Sequence, residues 1–170
     1  MPIGTSWRRA EYYRVKSSAT QPPGKLWDMI SDDRPAYRIF MSKTVLVVDD
    51  DPKFLSALSS LLKDAGYIVI TAKDAKDVNL ALEGYQVNAA IIDLDLPEIG
   101  GLQIIGQLAK PGKRQISIMA ITGAYSDVYL EVAEYLGAHV SVRKPRPGRP
   151  LTPIVAALNI LVSKPPSTTL

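Results

Sequence analysis

The sequence contains no cysteine and only one histidine, and both features narrow the chemistry open to the chain. Without cysteine there are no disulfide bonds, no thiolate metal ligands and no cysteine nucleophile. With His139 as the sole imidazole, a histidine-rich metal site is excluded too. No apolar run approaches the ~20 residues that a membrane-spanning helix needs, and the N-terminus lacks the apolar core of a signal peptide. We therefore expect a cytoplasmic protein that makes no contact with a membrane.

The excess of positive charge belongs to the front of the chain alone. The formal net charge is +3; residues 1–40 hold seven Lys and Arg against four Asp and Glu, whereas residues 41–170 hold thirteen of each. A neutral main segment gives no electrostatic reason to expect direct binding of nucleic acid. Residues 1–42 lack helical or strand periodicity, and we expect a disordered extension that begins at an upstream start codon.

From Lys43 onward, short apolar strands alternate with amphipathic helical patterns. The predicted strands cover residues 44–48, 67–71, 88–92, 116–121 and 139–142. Helices are predicted over residues 52–64, from the cap Asp74 to 82, over 101–109, from a cap at 126 or 127 to 136, and over 151–161. Gly66 is predicted to end the first of these, and Gly84 follows the second. Five such βα units in succession predict one α/β domain over residues 43–163, followed by a tail over 164–170.

Alternating apolar strands and helices imply a parallel sheet covered by helices on both faces. Right-handed crossovers then allow a doubly wound sheet, for which the strand order 2-1-3-4-5 is one of the two common choices. In such sheets a ligand binds at the carboxyl ends of the strands, where the order reverses. Here that point lies beyond the first and third strands.

Three consecutive carboxylates, Asp49, Asp50 and Asp51, follow the apolar run 45–48. Like charges side by side repel one another, so the cluster is most stable with a cation among them. Mg²⁺ prefers oxygen ligands and uses few carboxylates. We predict that Asp49 and Asp50 help to hold Mg²⁺, whereas Asp51, directly before Pro52, caps the following helix.

Three more polar residues follow strands at the same predicted edge: Asp93 the third, Thr122 the fourth and Lys144 the fifth. Each residue type is common at strand ends, but their joint arrival at one edge indicates a site. Asp93 lies across from the acidic pair and is predicted to be both metal ligand and nucleophile, because a carboxylate can attack phosphorus to form an aspartyl phosphate. Lys144 supplies a second positive charge and Thr122 a hydroxyl donor.

This constellation resembles the receiver domain of two-component response regulators, the family typified by the bacterial chemotaxis response regulator. The resemblance spans roughly residues 43–163 and implies a flavodoxin-like (βα)5 fold. The matching positions are Asp49-Asp50, Asp93 with Pro97 and Gly101, Thr122, and Lys144-Pro145.

The resemblance also implies a role for each residue of the acidic cluster. Asp93 would accept a phosphoryl group from a phosphohistidine on a sensor histidine kinase or histidine phosphotransfer protein. Asp50, Asp93 and the backbone carbonyl of Asp95 would ligate Mg²⁺, with Asp49 acting mainly through water.

Thr122 and Lys144 would contact the phosphoryl group and convert its presence into a loop shift. The chain departs from the family pattern at Ser141, where many relatives have an aromatic residue whose rotation accompanies activation. Gly100 replaces a common aspartate, and Arg146 stands where an aromatic residue is common. We expect the signal to leave through a different surface, or the aromatic part of the switch to be absent.

Three functions from different classes follow from this pattern. The first is a single-domain response regulator, since the residues after the last helix are too few for an output domain. We expect it to signal by protein contact or phosphorelay, as a monomer or a phosphorylation-dependent dimer. We expect no enzymatic activity beyond its own phosphorylation and dephosphorylation. The second is a phosphate-independent interaction module of the same shape. The third is an aspartate-nucleophile phosphohydrolase, suggested by Asp93-Leu94-Asp95, although that class normally carries the motif on its first strand.

Overall fold

The computed structural model describes residues 42–97, 100–111, 115–123 and 127–163. The predicted tail lies outside these ranges, as does the predicted extension apart from Ser42. The strands are β1 (Thr44–Val48), β2 (Ile68–Ala72), β3 (Ala89–Asp93), β4 (Ser117–Thr122) and β5 (Val140–Arg143). The helices are α1 (Pro52–Asp64), α2 (Ala75–Gly84), α3 (Gly101–Leu108), α4 (Asp127–Tyr135) and α5 (Thr152–Ser163).

The five strands form one parallel sheet in the order β2-β1-β3-β4-β5, as predicted. Within the sheet, Val48 at the end of β1 pairs with Ala72 of β2 and with Ile92 of β3. Because these strands run in the same direction and end at the same level, Asp49 and Asp93 emerge side by side at the carboxyl edge.

The three central strands are buried because helices cover both faces of the sheet. Successive side chains of a strand point to opposite faces, so each strand contributes to two separate cores. On one face, Leu46 and Ile92 pack with residues of α2, α3 and α4, among them Ile104. On the other face, Val47 and Ile91 pack with α1 and α5. This division is the doubly wound arrangement that the sequence predicted.

The helix boundaries follow local chemistry. Asp51 caps α1 through a hydrogen bond from the amide of Lys53 to its side chain, and Pro52 occupies the first turn. After α1, Gly66 takes φ = 90°, a left-handed conformation that glycine adopts without steric cost. Asp74 caps α2 by accepting from the amide of Asp77. The predicted caps at Asp51 and Asp74 and the predicted stop at Gly66 are confirmed.

The predicted boundaries were wrong by one or two residues elsewhere. Strands β2 to β5 each begin and end one residue later than predicted. Helix α2 was expected to end before Gly84 but includes it, and α5 continues to Ser163. Strand ladders depend on backbone hydrogen bonds, and these continue through polar residues such as Asp93 and Thr122, which the apolar pattern excludes.

Two contacts fasten the last helix to the start of the domain. The ammonium of Lys43 donates to the carbonyl of Val162 near the end of α5. The hydroxyl of Tyr67 donates to Oδ1 of Asn159 at 2.6 Å, and burial raises the pKa of this phenol. These links hold α5 against the amino edge of the sheet, opposite to the carboxylates. Among the described helices, none has both the length and the apolar character needed to cross a membrane.

Candidate functional site

Asp49, Asp50 and Asp93 meet at the carboxyl edge of the sheet, where β1 and β3 end. Each offers one carboxylate oxygen, and these oxygens lie within 4.8 Å of one another. Asp49 is completely buried and Asp93 is 2% exposed, whereas Asp50 is open to solvent. Three hard oxygen donors, one facing solvent, suit a divalent cation such as Mg²⁺ that keeps part of its water shell.

The turn after β1 fixes the direction of these acidic side chains. Oδ1 of Asp49 accepts a hydrogen bond from the amide of Asp51 at 2.9 Å, while Asp51 turns away to cap α1. The amide of Asp49 is itself held by the carbonyl of Ala72 at 3.0 Å. The third carboxylate of the run is therefore structural, and the acidic cluster is completed by Asp93 from the neighbouring strand.

Lys144 bridges the two buried carboxylates. Its Nζ lies 2.6 Å from Oδ2 of Asp49 and 2.6 Å from Oδ2 of Asp93, and 4.6 Å from the centre of the Phe54 ring. The Lys144 amide donates to the carbonyl of Thr122 at 2.8 Å, which fixes the start of the loop after β5. One ammonium thus compensates two carboxylates, with an aromatic face as a further favourable contact.

Burial and the neighbouring charges act in opposite directions on the pKa values of Asp93 and Lys144. Burial raises the pKa of Asp93 above its ordinary value, although the hydrogen bond and the charge of Lys144 oppose this rise. Burial alone would lower the pKa of Lys144, but the hydrogen bonds and charges of Asp49 and Asp93 outweigh it and hold this pKa above its ordinary value. Lys144 therefore stays protonated and positive at neutral pH.

Asp95 and Thr122 are joined in a way that the sequence did not reveal. Oδ2 of Asp95 accepts hydrogen bonds from the Thr122 hydroxyl at 2.9 Å and from the Gly123 amide at 3.0 Å. The Asp95 amide points to Oδ1 of Asp93 at 3.3 Å. Only the backbone carbonyl of Asp95 was given a role from the sequence, and that metal role stays a prediction. The spacing Asp-x-Asp signalled the residue but not the direction of its side chain.

Gly101 lets α3 begin directly against the backbone of Asp93. A Cβ atom at this position would lie 1.9 Å from the Asp93 carbonyl oxygen and 2.8 Å from its carbonyl carbon. No side chain fits there, so glycine is needed at position 101 for close backbone approach and not for a positive φ. At Gly100 the same construction meets nothing within 4 Å. The neighbouring glycine is thus free of this constraint.

Ser141, the position that departs from the family pattern, lies in β5 and is half-buried. Its hydroxyl donates to the carbonyl of Leu130 in α4 at 3.3 Å. At the end of the same strand, Arg143 forms an ion pair with Asp127 at the start of α4. Helix α4 is therefore joined to β5 by two polar contacts, one from Ser141 and one from Arg143.

The structure places the predicted site residues together at the carboxyl edge of the sheet, where the sequence analysis expected them. All five lie at one edge of the sheet, at or directly after the ends of four strands: Asp49 and Asp50 after β1, Asp93 in β3, Thr122 in β4 and Lys144 after β5. Their placement agrees with a phosphoryl-accepting site, and their individual roles stay predictions. In this structure Lys144 contacts carboxylates.

Comparison with known proteins agrees with this geometry. The family model of the response regulator receiver domain matches residues 45–156, a range that contains every site residue named above. The response regulator GtcR of Aneurinibacillus migulanus is 32% identical over 105 residues, which are 62% of this chain and 43% of that protein. The aerobic respiration control protein ArcA of Escherichia coli K12 is 29% identical over 117 residues, which are 69% of this chain and 48% of ArcA. The chain thus spans less than half the length of these two relatives.

Solved structures show the same fold. The chemotaxis response regulator CheY4 of Vibrio cholerae superposes with a TM-score of 0.64 at 22% identity, covering 71% of this chain and 99% of CheY4. A response regulator protein of Burkholderia pseudomallei, solved with a phosphorylated aspartic acid, a calcium ion and citrate, gives a TM-score of 0.60 at 28% identity, covering 72% of this chain and 69% of that one. Sequence, fold and site geometry agree, and the chain belongs to the response regulator receiver domain family.

Proposed function

We propose that this chain is a phosphorylation-dependent switch that accepts a phosphoryl group on Asp93 in the presence of Mg²⁺. The observation that carries the proposal is the position of Asp93, a nearly buried carboxylate that lies within reach of two more carboxylates and of the Lys144 ammonium. The phosphorylated aspartic acid and the calcium ion of the Burkholderia pseudomallei relative support it.

The donor in this proposal is a phosphohistidine on a sensor histidine kinase or a histidine phosphotransfer protein. A carboxylate oxygen of Asp93 attacks the phosphorus, and the P–N bond to the donor imidazole breaks as the new P–O bond forms. The electron pair of the broken bond returns to the imidazole nitrogen, and the imidazole leaves neutral when its other nitrogen carries a proton. No other protein nucleophile is needed.

The residues around Asp93 prepare it for this step. Asp49, Asp50 and Asp93 would hold Mg²⁺, with the backbone carbonyl of Asp95 as a further ligand. A divalent cation held there would neutralise charge on the phosphoryl oxygens. The Lys144 ammonium lies 2.6 Å from Oδ2 of Asp93, so it can form an ion pair with the oxygens of a phosphoryl group attached to Asp93.

We further propose that the switch acts in the cytoplasm through contact with a downstream protein or by passing the phosphoryl group on. The even balance of charge over residues 41–170 favours a protein target over nucleic acid. No turnover of an external substrate is expected. That the natural protein is a single-domain regulator is a further prediction, and the intact mass of the native chain tests it.

Phosphate uptake tests the central proposal. The protein is incubated with Mg²⁺ and either acetyl phosphate or a phosphorylated histidine donor, and the mass and stability of the product are measured. The expected product carries one phosphate that survives acid and is released by base. Asp93→Asn abolishes uptake, and chelation of Mg²⁺ suppresses it. Asp64→Asn, which changes an exposed carboxylate at the end of α1, is the matched control and retains uptake.

Two other outcomes would point to the alternative functions. Absence of uptake from every donor refutes the switch and favours a phosphate-independent interaction module. Repeated turnover of small phosphate esters, rather than one phosphate per chain, favours a phosphohydrolase.

A further inference from the structure

The carboxylate of Asp95 occupies two hydrogen-bond donors at the end of β4. A single oxygen atom, Oδ2, accepts from the Thr122 hydroxyl at 2.9 Å and from the Gly123 amide at 3.0 Å. Thr122 itself is 1% exposed, so its hydroxyl has few directions open to it. Asp95 is exposed, and its side chain folds back over the end of the neighbouring strand.

These two donors lie beside the proposed phosphoryl acceptor. Asp93 pairs with Ile121 in the sheet, so the residues that follow Ile121 flank the Asp93 side chain. A phosphoryl group attached to Asp93 would bring three oxygen atoms that need donors. The Thr122 hydroxyl at the end of β4 and the amide of the following Gly123 are donors on this side of Asp93, and both are engaged by the carboxylate of Asp95.

A hydroxyl group has one proton to donate, and a backbone amide also has one. Neither can therefore satisfy Asp95 and a phosphoryl oxygen fully at the same time. The negative charge of Asp95 strengthens its own hydrogen bonds and also repels a phosphoryl group nearby. Both effects favour the unphosphorylated arrangement.

We propose that the Asp95 side chain is a positioning residue that competes with the phosphoryl group on Asp93 for the Thr122 hydroxyl and the Gly123 amide. Asp95 holds these donors in the resting arrangement and releases them when the phosphoryl group arrives. The inference rests on the proposed function of Asp93, and it adds that the hydrogen bonds of Asp95 make the phosphorylated state less favourable. It differs from the metal role predicted for Asp95, which uses only the backbone.

The test measures binding of beryllium trifluoride, a phosphoryl mimic, at saturating Mg²⁺. Amide signals of Thr122 and Gly123 are followed by NMR in the wild type, Asp95→Ala and Asp95→Asn. Asp95→Ala removes both competing hydrogen bonds and is expected to bind the mimic at least about tenfold more tightly, since one hydrogen bond to a charged group already corresponds to about that factor. Asp95→Asn keeps an oxygen acceptor without the charge and is expected to fall between. Glu131→Gln, an exposed carboxylate on α4, is the control for net charge and binds as the wild type does.

Two readouts separate this role from a merely structural one. Without the mimic, the Gly123 amide proton should move upfield in Asp95→Ala, because it loses a carboxylate acceptor. In a Thr122→Val background, which removes the hydroxyl but keeps the shape, the gain from Asp95→Ala should shrink. A gain of the same size in both backgrounds, with an unmoved Gly123 signal, overturns the inference.

The inference and the proposed function fail in different ways. If the wild type binds the mimic and Asp95→Ala binds it no more tightly, the competition is refuted while the switch remains. If the wild type neither binds the mimic nor takes up phosphate, the proposed function is refuted and the inference is refuted with it.

Discussion

A methyl group at position 101 would test how closely α3 packs against the proposed phosphoryl acceptor. The Cβ of Gly101→Ala would lie 1.9 Å from the Asp93 carbonyl oxygen, whereas a carbon and an oxygen in contact are normally about 3.3 Å apart. The two segments must separate by more than ~1 Å. The obstacle is backbone, which cannot rotate aside as a flexible side chain does, so the start of α3 or the end of β3 has to move.

We expect Gly101→Ala to lower the free energy of unfolding by about 1–3 kcal/mol, the usual cost of overpacking a well-packed site. Urea unfolding at neutral pH measures it. Phosphate uptake should also fall, because the Asp93 backbone is the part displaced. The same construction at Gly100 and Gly106 meets nothing within 4 Å, so Gly100→Ala and Gly106→Ala are matched controls. Gly106 lies inside α3, and its replacement should stabilise the protein by roughly 0.5–1 kcal/mol.

Wild-type stability and normal uptake in Gly101→Ala would refute the packing of α3 against Asp93. Equal losses in all three alanine variants would show that the effect comes from the glycine backbone and has no connection with the close approach.

Three further perturbations follow from the same structure. Lys144→Met leaves the buried carboxylates of Asp49 and Asp93 facing each other, and it should lower the free energy of unfolding in urea, without Mg²⁺, by about 3 kcal/mol. An unchanged urea midpoint would contradict the bridge that Lys144 forms between them. Burial lowers the pKa of His139, whose Nδ1 accepts from the Ile118 amide at 3.0 Å. The contribution of neutral His139 to the free energy of unfolding is complete above pH ~6.5 and is lost as the pH falls through the lower folded-state pKa. The free energy of unfolding, measured in urea at a series of pH values below ~6.5, should therefore depend less on pH in His139→Gln than in the wild type. The same pH dependence in both proteins would exclude this role. Asp51→Ala removes the cap from the Lys53 amide and should cost about 1 kcal/mol by thermal unfolding, with Asp51→Ser largely restoring it.

The sequence predicted the architecture well because apolar periodicity and turn chemistry both act locally. Asp51, Gly66 and Asp74 identify helix ends through hydrogen bonds and backbone angles that depend on neighbouring residues only. The strand ends were less predictable, because the ladder runs through Asp93 and Thr122 regardless of their polarity. The strand order was taken as one of the two common choices for a doubly wound sheet, because alternation alone does not select between them.

The composition of the site was predictable, whereas its internal bonding was not. Parallel strands that end together bring their next residues together, so Asp49 after β1 and Asp93 at the end of β3 had to be neighbours once the strand order was known. The pattern could not show that Lys144 would bridge two carboxylates or that the Asp95 side chain would turn to Thr122. Those contacts depend on rotamers and on competition between acceptors for the same protons, neither of which is encoded in residue spacing.

The link from Lys43 to Val162 places both boundaries of the domain at the same end of the molecule. Strand β1 starts beside Lys43 and reaches the acidic cluster five residues later, a rise of about 17 Å. Lys43 therefore lies about a full strand length from the acidic cluster, and Val162 lies beside Lys43. The proposed chemical event at Asp93 can influence this end of the domain only if it moves a loop or helix that spans this length, and α5, at about 18 Å, has the extent to do so.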